Sequence, residues 1–383
     1  MKRLWLLSIT TVLVSCTAQQ HRKKADEEVY GILKQAESSV FGKPSNFNID
    51  TAYSAKKSTD VKPSELLEQS QSGGSFTFSI DDAISYAAIH SREYQDQKER
   101  LYLSALNLTG ARHAFNPHGS SSINPTVSRD SDNDRSGRAR ISNGISQSLL
   151  TGGSYSLSLA NDFLKFFTGD PRRSASSVIS LNILQPLLRG AGKDIAAERL
   201  TQSQRNVVYS LRDFNQFQNE FSRDIVIDYL RLLQQKESVD NQYSNYESRK
   251  ANTEYLRARA VDRASPQEVS DSEQGELQAK NSWINAKSRY QTSLDDFKLD
   301  LGMPTTATLI LKENELTKIE QAGLLPTGLT HKKAFNLALK HRLPLLNDID
   351  RFEDQKRQVL IAADQLKGDV NLVTTASLRN WIN

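Results

Sequence analysis

Few residues of this 383-residue chain have types and spacing that could support chemistry. The segment Gly190-Ala191-Gly192-Lys193 has the glycines and the lysine of a phosphate-binding loop. However, Leu187 stands where that motif needs its first glycine, and Asp194 replaces the Ser or Thr that would hold magnesium. We therefore interpret the two glycines as a corner between two elements of secondary structure.

Other candidate chemistry is equally weak. His113 and His118 straddle a proline, and neither has an acidic or cysteine partner at ligand spacing. No G-x-S-x-G segment marks a nucleophilic serine, and no acid–base pair stands out. The net charge of +4 is scattered, without the basic stripe and interleaved aromatics of a nucleic-acid-binding protein. We predict no enzyme activity, no metal, no cofactor and no nucleic-acid partner.

Cys16 is the only cysteine and follows an apparent export signal. A basic start, Met1-Lys2-Arg3, precedes an apolar stretch over 4–14 that is typical of a secretory signal. Leu13-Val14-Ser15-Cys16 resembles a bacterial lipoprotein signal. This predicts cleavage after residue 15 and lipid (palmitate as the expected acyl group) on Cys16. An ordinary signal peptide with a chance cysteine is the alternative. Nothing acidic follows Cys16, which favours the outer membrane.

A stretch of low apolar content precedes the first predicted strand and helix. Residues 16–75 contain one short helical patch, over 27–40, and otherwise mixed charge, which predicts a mostly extended tether. A brief strand over 76–80 then precedes a helix over 81–116, where Asp81 or Asp82 can cap the first turn. Asn116-Pro117-His118-Gly119 ends this helix.

Alternating residues over 118–188 predict β-structure with two different faces. Ile141 and Ile145 share one parity, whereas the other parity holds small polar residues such as Ser142 and Ser146. Segments that are apolar on one side and small and polar on the other are a weak signature of transmembrane β-strands. A soluble hairpin with a serine-rich face is the alternative. The last strand leads through Pro186, Gly190 and Gly192 into a helix that Asp194 is placed to cap.

Two long helices follow this corner. Over 194–257 the apolar residues are spaced mostly by seven, four and three, the rhythm of a coiled coil. Ser265-Pro266 starts a second such helix, which stops at Gly302-Met303-Pro304. We predict an antiparallel helical hairpin over 194–301, with its tip near 258–268, and a linker over 305–329.

The pattern then begins again. Ala83, Ala87, His90 and Ala111 match Ala334, Ala338, His341 and Ala362 at a constant offset of 251. We therefore predict an internal duplication, with a first repeat over 76–304 and the start of a second over 330–383. The second copy lacks a return strand, a corner and a helical hairpin, so we expect an incomplete gene product or a fragment.

The order of helix, strand pair and long helical hairpin, repeated, resembles the TolC-type outer-membrane factors. The segments that carry this resemblance are 80–115, Leu184-Gln185-Pro186-Leu187-Leu188-Arg189-Gly190 and Lys298-Leu299-Asp300-Leu301-Gly302-Met303-Pro304. It implies a mostly α fold with a membrane β part, in which long antiparallel helices build a periplasmic α-barrel joined to a transmembrane β-barrel. In this family three protomers each give four strands to one barrel.

The resemblance also implies partners and a site. We expect a homotrimer anchored in outer-membrane lipid, which accepts substrate from an inner-membrane pump through a periplasmic adaptor (membrane fusion protein) in efflux or type I secretion. The adaptor would dock at the first hairpin tip. This sequence departs from the family there: Asp262 replaces an expected glycine, and Glu268 precedes Val269. The candidate docking residues are Asp262, Arg263, Ser265, Glu268 and Val269. A lipid-anchored periplasmic coiled-coil scaffold without channel activity is the alternative.

Overall fold

The computed structural model describes residues 18–51, 53, 54, 56, 58–65, 74–129, 134–168, 173–259, 265–323 and 326–382. The helices are α1 (Ala18–Phe41), α2 (Ile80–His90), α3 (Arg92–His113), α4 (Lys193–Ala196), α5 (Glu198–Arg259), α6 (Pro266–Asp300), α7 (Asn314–Ala322), α8 (His331–His341) and α9 (Leu343–Gln365). The strands are β1 (Ser75–Phe78), β2 (His118–Arg129), β3 (Arg135–Ser148), β4 (Ser154–Phe166), β5 (Arg173–Pro186), β6 (Thr308–Leu311) and β7 (Asn371–Ile382).

The described residues fall into two compact units. The first takes those of Met1–Phe47, Leu101–Arg212 and Leu339–Asn383, and the second takes those of Asn48–Arg100 and Asp213–Ala338. Among the described helices, none combines the length and the apolar character needed to cross a membrane.

The core of the second unit surrounds a two-stranded parallel sheet of β1 and β6. Tyr229 of α5 is fully buried there. Its hydroxyl donates to the carbonyl of Phe78 (2.9 Å) and accepts from the N–H of Lys312 (2.9 Å), so it joins both strands. Burial raises the pKa of Tyr229 to about 12, which keeps this donor neutral. The buried apolar neighbours are Ala83, Ala87, Phe221, Ile225, Leu232, Phe297, Leu301, Leu309 and Leu311.

Helices α5 and α6 pack against each other as an antiparallel hairpin. At ~1.5 Å per residue, the 62 residues of α5 extend over roughly 93 Å. Trp283 stacks on Tyr246 across the hairpin, with ring centroids 5.8 Å apart. Nearer the tip, Thr253 is fully buried and its hydroxyl lies 3.2 Å from the carbonyl oxygen of Ser272. Polar contacts therefore replace apolar ones as the hairpin approaches its tip.

Residues 81–116 form two helices where the sequence predicts one. Ser91, between α2 and α3, is extended (φ −64°, ψ 130°). A close backbone approach accompanies this break: a Cβ on Gly302 would lie 2.1 Å from the carbonyl oxygen of His90. Gly302 has a φ of +75°, which suits glycine, and its turn packs directly on the helix break.

The helix bounds repeat along the chain. Both ends of α8 lie 251 residues after those of α2, and α9 starts 251 residues after α3. Arg342, between α8 and α9, is also extended (φ −77°, ψ 101°), as Ser91 is. The spacing found in the sequence is thus matched by the spacing of helices and of the break between them.

Two segments are more ordered than the sequence predicts. In the tether, α1 runs over 24 residues and buries Val29 and Leu33, because it packs in the first unit, where Tyr102 of α3 donates to Asp26 (2.5 Å). The predicted linker over 305–329 contains α7 and the short strand β6, whose Leu309 and Leu311 are buried. Four residues carry too little alternation to reveal a strand.

Candidate functional site

Five strands form one antiparallel sheet in the first unit, in the order β2-β3-β4-β5-β7. The resemblance implies a strand pair before the long hairpin, whereas the structure has four strands there. A tight turn explains the difference, because the N–H of Leu149 donates to the carbonyl of Gly153 (2.8 Å) and reverses the chain between β3 and β4. In the described residues of this single chain the sheet is open, with β2 and β7 at its edges.

The strand register places apolar side chains on one side of this sheet. Ile145, Leu157 and Leu181 are cross-strand partners in successive strands. Their exposures of 49%, 47% and 37% are high for residues of this type. The predicted alternation is confirmed, and we call this side the apolar face. Its large members are Ile123, Val127, Ile141, Ile145, Leu157, Leu159, Phe163, Ile179, Leu181, Ile183, Leu372 and Leu378.

Polar groups inside the apolar face pair with one another. The hydroxyl of Ser121 donates to Asn143 (2.8 Å), and that of Ser177 donates to Asn161 (2.6 Å). Both hydrogen bonds join neighbouring strands within the face. Such pairing suits an apolar environment, where an unpaired polar group is costly.

The opposite side, which we call the polar face, carries mostly small polar side chains, although Leu164, Phe166, Val178, Leu184 and Val373 share its parity. Ser146, Ser156, Asn182 and Thr375 are successive partners across four strands. Its members include Ser120, Ser122, Ser142, Ser146, Ser156, Ser158, Ser180, Asn182, Thr375 and Ser377. Small polar side chains occupy little space and can form hydrogen bonds with water, so this face is suited to contact with water.

Charged residues occur on both faces, toward the ends of β3 and β4 that are remote from the 149–153 turn. On the polar face, Arg138 and Arg140 both contact Asp162, at 3.2 and 3.0 Å. Arg379 of β7 shares that face. On the apolar face, the described strands carry four charges, all positive: Arg129, Arg135, Lys165 and Arg173.

The predicted corner lies between β5 and α4. Pro186 is the last residue of β5, and Gly190 and Gly192 adopt φ values of +79° and +96° that favour glycine. Asp194 differs from its predicted role, because the N-cap is Gly192, which has no side chain to accept a bond. Asp194 instead lies in the first turn, where its negative charge suits the helix dipole.

Backbone contacts hold this corner against the turn between β3 and β4. The N–H of Gly192 donates to the carbonyl of Thr151 (3.0 Å). A Cβ on Gly152 would lie 2.2 Å from the carbonyl oxygen of Gly190. The Gly152-Gly153 turn therefore leaves room for the corner to approach, which the sequence did not reveal.

A carboxylate far along the chain also fixes the corner. Asp364 of α9 is 3% exposed and accepts from the N–H of Gly190 (2.8 Å) and from Lys367 (2.9 Å). These two donors lower the pKa of Asp364. Arg189 pairs with Asp369 at 2.8 Å beside it. No local pattern marks Asp364, since its partner lies 174 residues away.

Charged groups also join α5 to α9 in the first unit. Asp354 is 5% exposed and contacts Tyr209 (2.7 Å), Arg205 (2.8 Å) and Arg357 (2.9 Å). Burial acts to raise the pKa of Asp354, but the hydrogen bonds of Tyr209, Gln202 and Arg357 outweigh it and the pKa falls. Two apolar side chains of α9, Phe352 and Val359, are exposed and do not take part in this charged contact.

The hairpin tip is described in part. Ser265 caps α6 in a capping box with Glu268: each residue's backbone N–H donates to the other's side chain, at 2.8 and 3.2 Å. The backbone N–H and the hydroxyl of Ser265 both donate to the Glu268 carboxylate and lower the pKa of Glu268. Val269 is half-buried in the first turn. Asp262 and Arg263 lie outside the described residues, as does Cys16.

Among the described residues, no group of three or more His, Cys, Asp or Glu side chains could hold a metal ion. The rings of His113 and His118 contact each other edge-on, with centroids 4.7 Å apart.

Solved structures with a similar fold are outer-membrane proteins. The outer membrane protein VceC from Vibrio cholerae has a TM-score of 0.50 at 14% identity, over 79% of this chain and 62% of its own. The Campylobacter jejuni CmeC outer membrane channel has a TM-score of 0.51 at 13% identity, over 79% and 61%. The chain has the fold of the TolC-type outer-membrane channels.

A third similar structure is CusC, solved in work on folding and transmembrane channel formation, with a TM-score of 0.51 at 9% identity over 79% of this chain and 64% of that one. The chain thus spans less than two thirds of the length of these three proteins. No protein-family model and no curated protein matches this sequence.

Proposed function

We propose that this chain is the outer-membrane channel component of a tripartite efflux or type I secretion system. It acts as a passive conduit and not as an enzyme. The observation that carries the proposal is the two-faced sheet, in which exposed apolar residues face one way and small polar residues face the other. Lipid would contact the apolar face, and the polar face would line water.

The remaining parts of the proposal follow from the elements around the sheet. One open sheet of five strands leaves two edges to be paired, as in a closed ring of several chains, and the resemblance implies that the ring is a homotrimer. Gly190 and Gly192 would mark the change from membrane β-barrel to periplasmic α-barrel. The matched bounds of α2 and α8 support an internal duplication. Lipid on Cys16 would anchor the chain in the outer membrane.

The hairpin of α5 and α6 would extend into the periplasm. Its tip, with candidate residues from Asp262 to Val269, would contact a periplasmic adaptor that links the channel to an inner-membrane pump. The resemblance supports this arrangement, and the described tip contributes an exposed, well-capped helix start at Ser265.

Two neighbouring residues of β4 give a matched test. Leu157 lies on the apolar face and Ser158 on the polar face, both near the middle of the strand. Leu157→Arg places a charge in lipid, at a cost of about 2–4 kcal/mol near the bilayer midplane. We expect Leu157→Arg to lose its outer-membrane level on fractionation, while Ser158→Arg keeps that level and alters single-channel conductance.

The alternative scaffold predicts a different result. If β2 to β5 never enter lipid, both variants should fractionate alike and neither protein should conduct ions in planar bilayers. A detergent-resistant trimer that migrates differently after heating would support the channel. A soluble monomer or dimer with little β signal would favour the scaffold.

A further inference from the structure

The four charges of the apolar face lie together at one end of the sheet. In register, Arg129 pairs with Arg135, and Lys165 pairs with Arg173. All four side chains are exposed, and none forms an ion pair within the described part of the chain. Like charges directly opposite each other in a sheet are destabilising. Two such pairs on one face therefore call for a negative counter-charge.

Apolar surface continues directly from these cations. Lys165 and Arg173 line a groove of about 600 Å³, whose other walls include Val127, Ala139, Phe163 and Ala175. Phe163 and Ala175 occupy the next row of the same face, one step nearer the middle of the sheet. The groove thus joins the cations Lys165 and Arg173 to apolar side chains; Arg138, Thr126 and Ser174 also line it, whereas Arg129 and Arg135 lie outside its lining.

One aromatic ring shapes the outer end of the groove. A Cβ on Gly137 would lie 2.8 Å from the ring of Phe167, so the glycine leaves space for that ring. Lys165 lies 5.6 Å from the centre of the same ring. Phe166, the residue before Phe167, has the parity of the polar face and therefore does not contribute to the groove.

We propose that this groove binds a lipid that bears a phosphate group. The phosphate would lie among Arg129, Arg135, Lys165 and Arg173, and the acyl chains would lie along the apolar face. Charge complementarity favours this occupant, since the described strands offer four cations and no acid on that face. Asp134, the residue before Arg135, lies outside the strands, and the sequences of the adjoining loops also contain Asp130, Asp132 and Asp170.

The inference rests on the proposed exposure of the apolar face to lipid, and it adds a preference for lipid type. Native mass spectrometry of the full chain in neutral detergent can measure retention of dioleoyl phosphatidic acid against dioleoyl phosphatidylcholine. We expect the wild type to retain phosphatidic acid preferentially. Lys165→Gln with Arg173→Gln should weaken its binding on the order of 20-fold, at about fivefold for each cation.

Two further double substitutions test whether lipid binding depends specifically on the cations of the apolar face. Arg129→Gln with Arg135→Gln should weaken binding similarly and guards against misfolding of the first pair. Arg140→Gln with Arg379→Gln removes the same charge from the polar face and should leave binding unchanged. Equal loss in that control would overturn the site, because charge alone would then explain the effect.

Other outcomes also decide the question. Equal retention of the two lipids by the wild type would overturn the proposal. Displacement of the lipid by inorganic phosphate would indicate a site for free phosphate and not for lipid. Conductance in bilayers of phosphatidylcholine alone tests the channel separately, so a failed groove and a failed channel give different results.

Discussion

At the scale of residues, two glycines with the same open space differ in backbone conformation. A Cβ on Gly190 or on Gly110 would meet nothing within 4 Å. Gly190 has a φ of +79°, whereas Gly110 lies inside the helix α3. The corner therefore needs glycine for its conformation and not for space.

Gly190→Ala should lower the free energy of unfolding by about 1–2 kcal/mol, because a Cβ strains the left-handed conformation. Gly110→Ala, the matched control, should raise it by about 0.5–1 kcal/mol, since alanine favours a helix. Thermal unfolding of the full chain in detergent measures both. Two effects of the same sign would contradict this explanation of the corner.

Asp364 makes the corner sensitive to acid. The pKa of this carboxyl is lowered in the fold by Lys367 and by the N–H of Gly190. Its ionised form therefore stabilises the fold above the ordinary aspartate pKa of about 3.9, and that contribution is lost as pH falls through the lower folded value.

Asp364→Asn should consequently melt earlier than the wild type at neutral pH. The difference in Tm should shrink as pH falls below about 4 and close below the lower folded pKa of Asp364, where both proteins carry a neutral side chain. Melting curves over a pH series provide the measurement. A difference that persists unchanged in acid would mean that shape, and not charge, holds Gly190.

At the scale of elements, the local patterns of the sequence predicted faces and helices well. Alternation at Ile179, Ser180 and Leu181 reflects a strand with two environments, and the register reproduces both. The heptad-like spacing predicted α5 and α6, because one stripe of each helix is buried. Ser265-Pro266 correctly marked the start of α6.

The local patterns of the sequence did not reveal contacts between distant segments. Gly302 packs on the helix break at Ser91, and Asp364 binds Gly190, yet neither contact leaves a mark in neighbouring residues. Asp194 has the residue type of an N-cap, which led to the wrong prediction. The N-cap is Gly192, and the helix begins at Lys193.

The tip of the hairpin allows two charge reversals to be separated. Arg263 is a candidate adaptor contact, whereas Glu268 already holds the first turn of α6 through Ser265. If the proposed trimeric channel docks its adaptor at this tip, Arg263→Glu should abolish export while leaving the trimer and its membrane level unchanged. Glu268→Lys should also speed hydrogen exchange over residues 265–269, because the capping box is lost.

Export assays, together with hydrogen exchange of the purified proteins, distinguish these effects. Unchanged export with Arg263→Glu would remove this residue from the docking surface. Protection that is equal in both variants would show that the capping box contributes little to the start of α6.

At the scale of the molecule, the charges of the polar face would influence what passes a channel. Arg138, Arg140 and Arg379 outnumber Asp162 there among the described strands. Basic side chains that line a pore attract anions. The assembled channel should therefore prefer anions, and this preference should depend on salt, since exposed charges are screened.

Arg138→Gln with Arg140→Gln should shift the reversal potential in a salt gradient toward cations. Asp162→Asn should shift it the other way. Planar-bilayer recordings give both values, and Lys165→Gln with Arg173→Gln serves as a control on the apolar face. Equal shifts in the control would mean that the polar face does not line the pore.

The sheet also sets the order in which this protein can fold. Strands β2 to β5 follow one another closely, so their hairpins can form as soon as residues 118–186 are available. Among the described strands, β7 alone pairs the outer edge of β5, and it begins 185 residues after β5 ends. Pairings of such high sequence separation form slowly. Until β7 arrives, β5 presents an open edge to other chains, and export of this protein through the cell envelope would benefit from a chaperone that covers it.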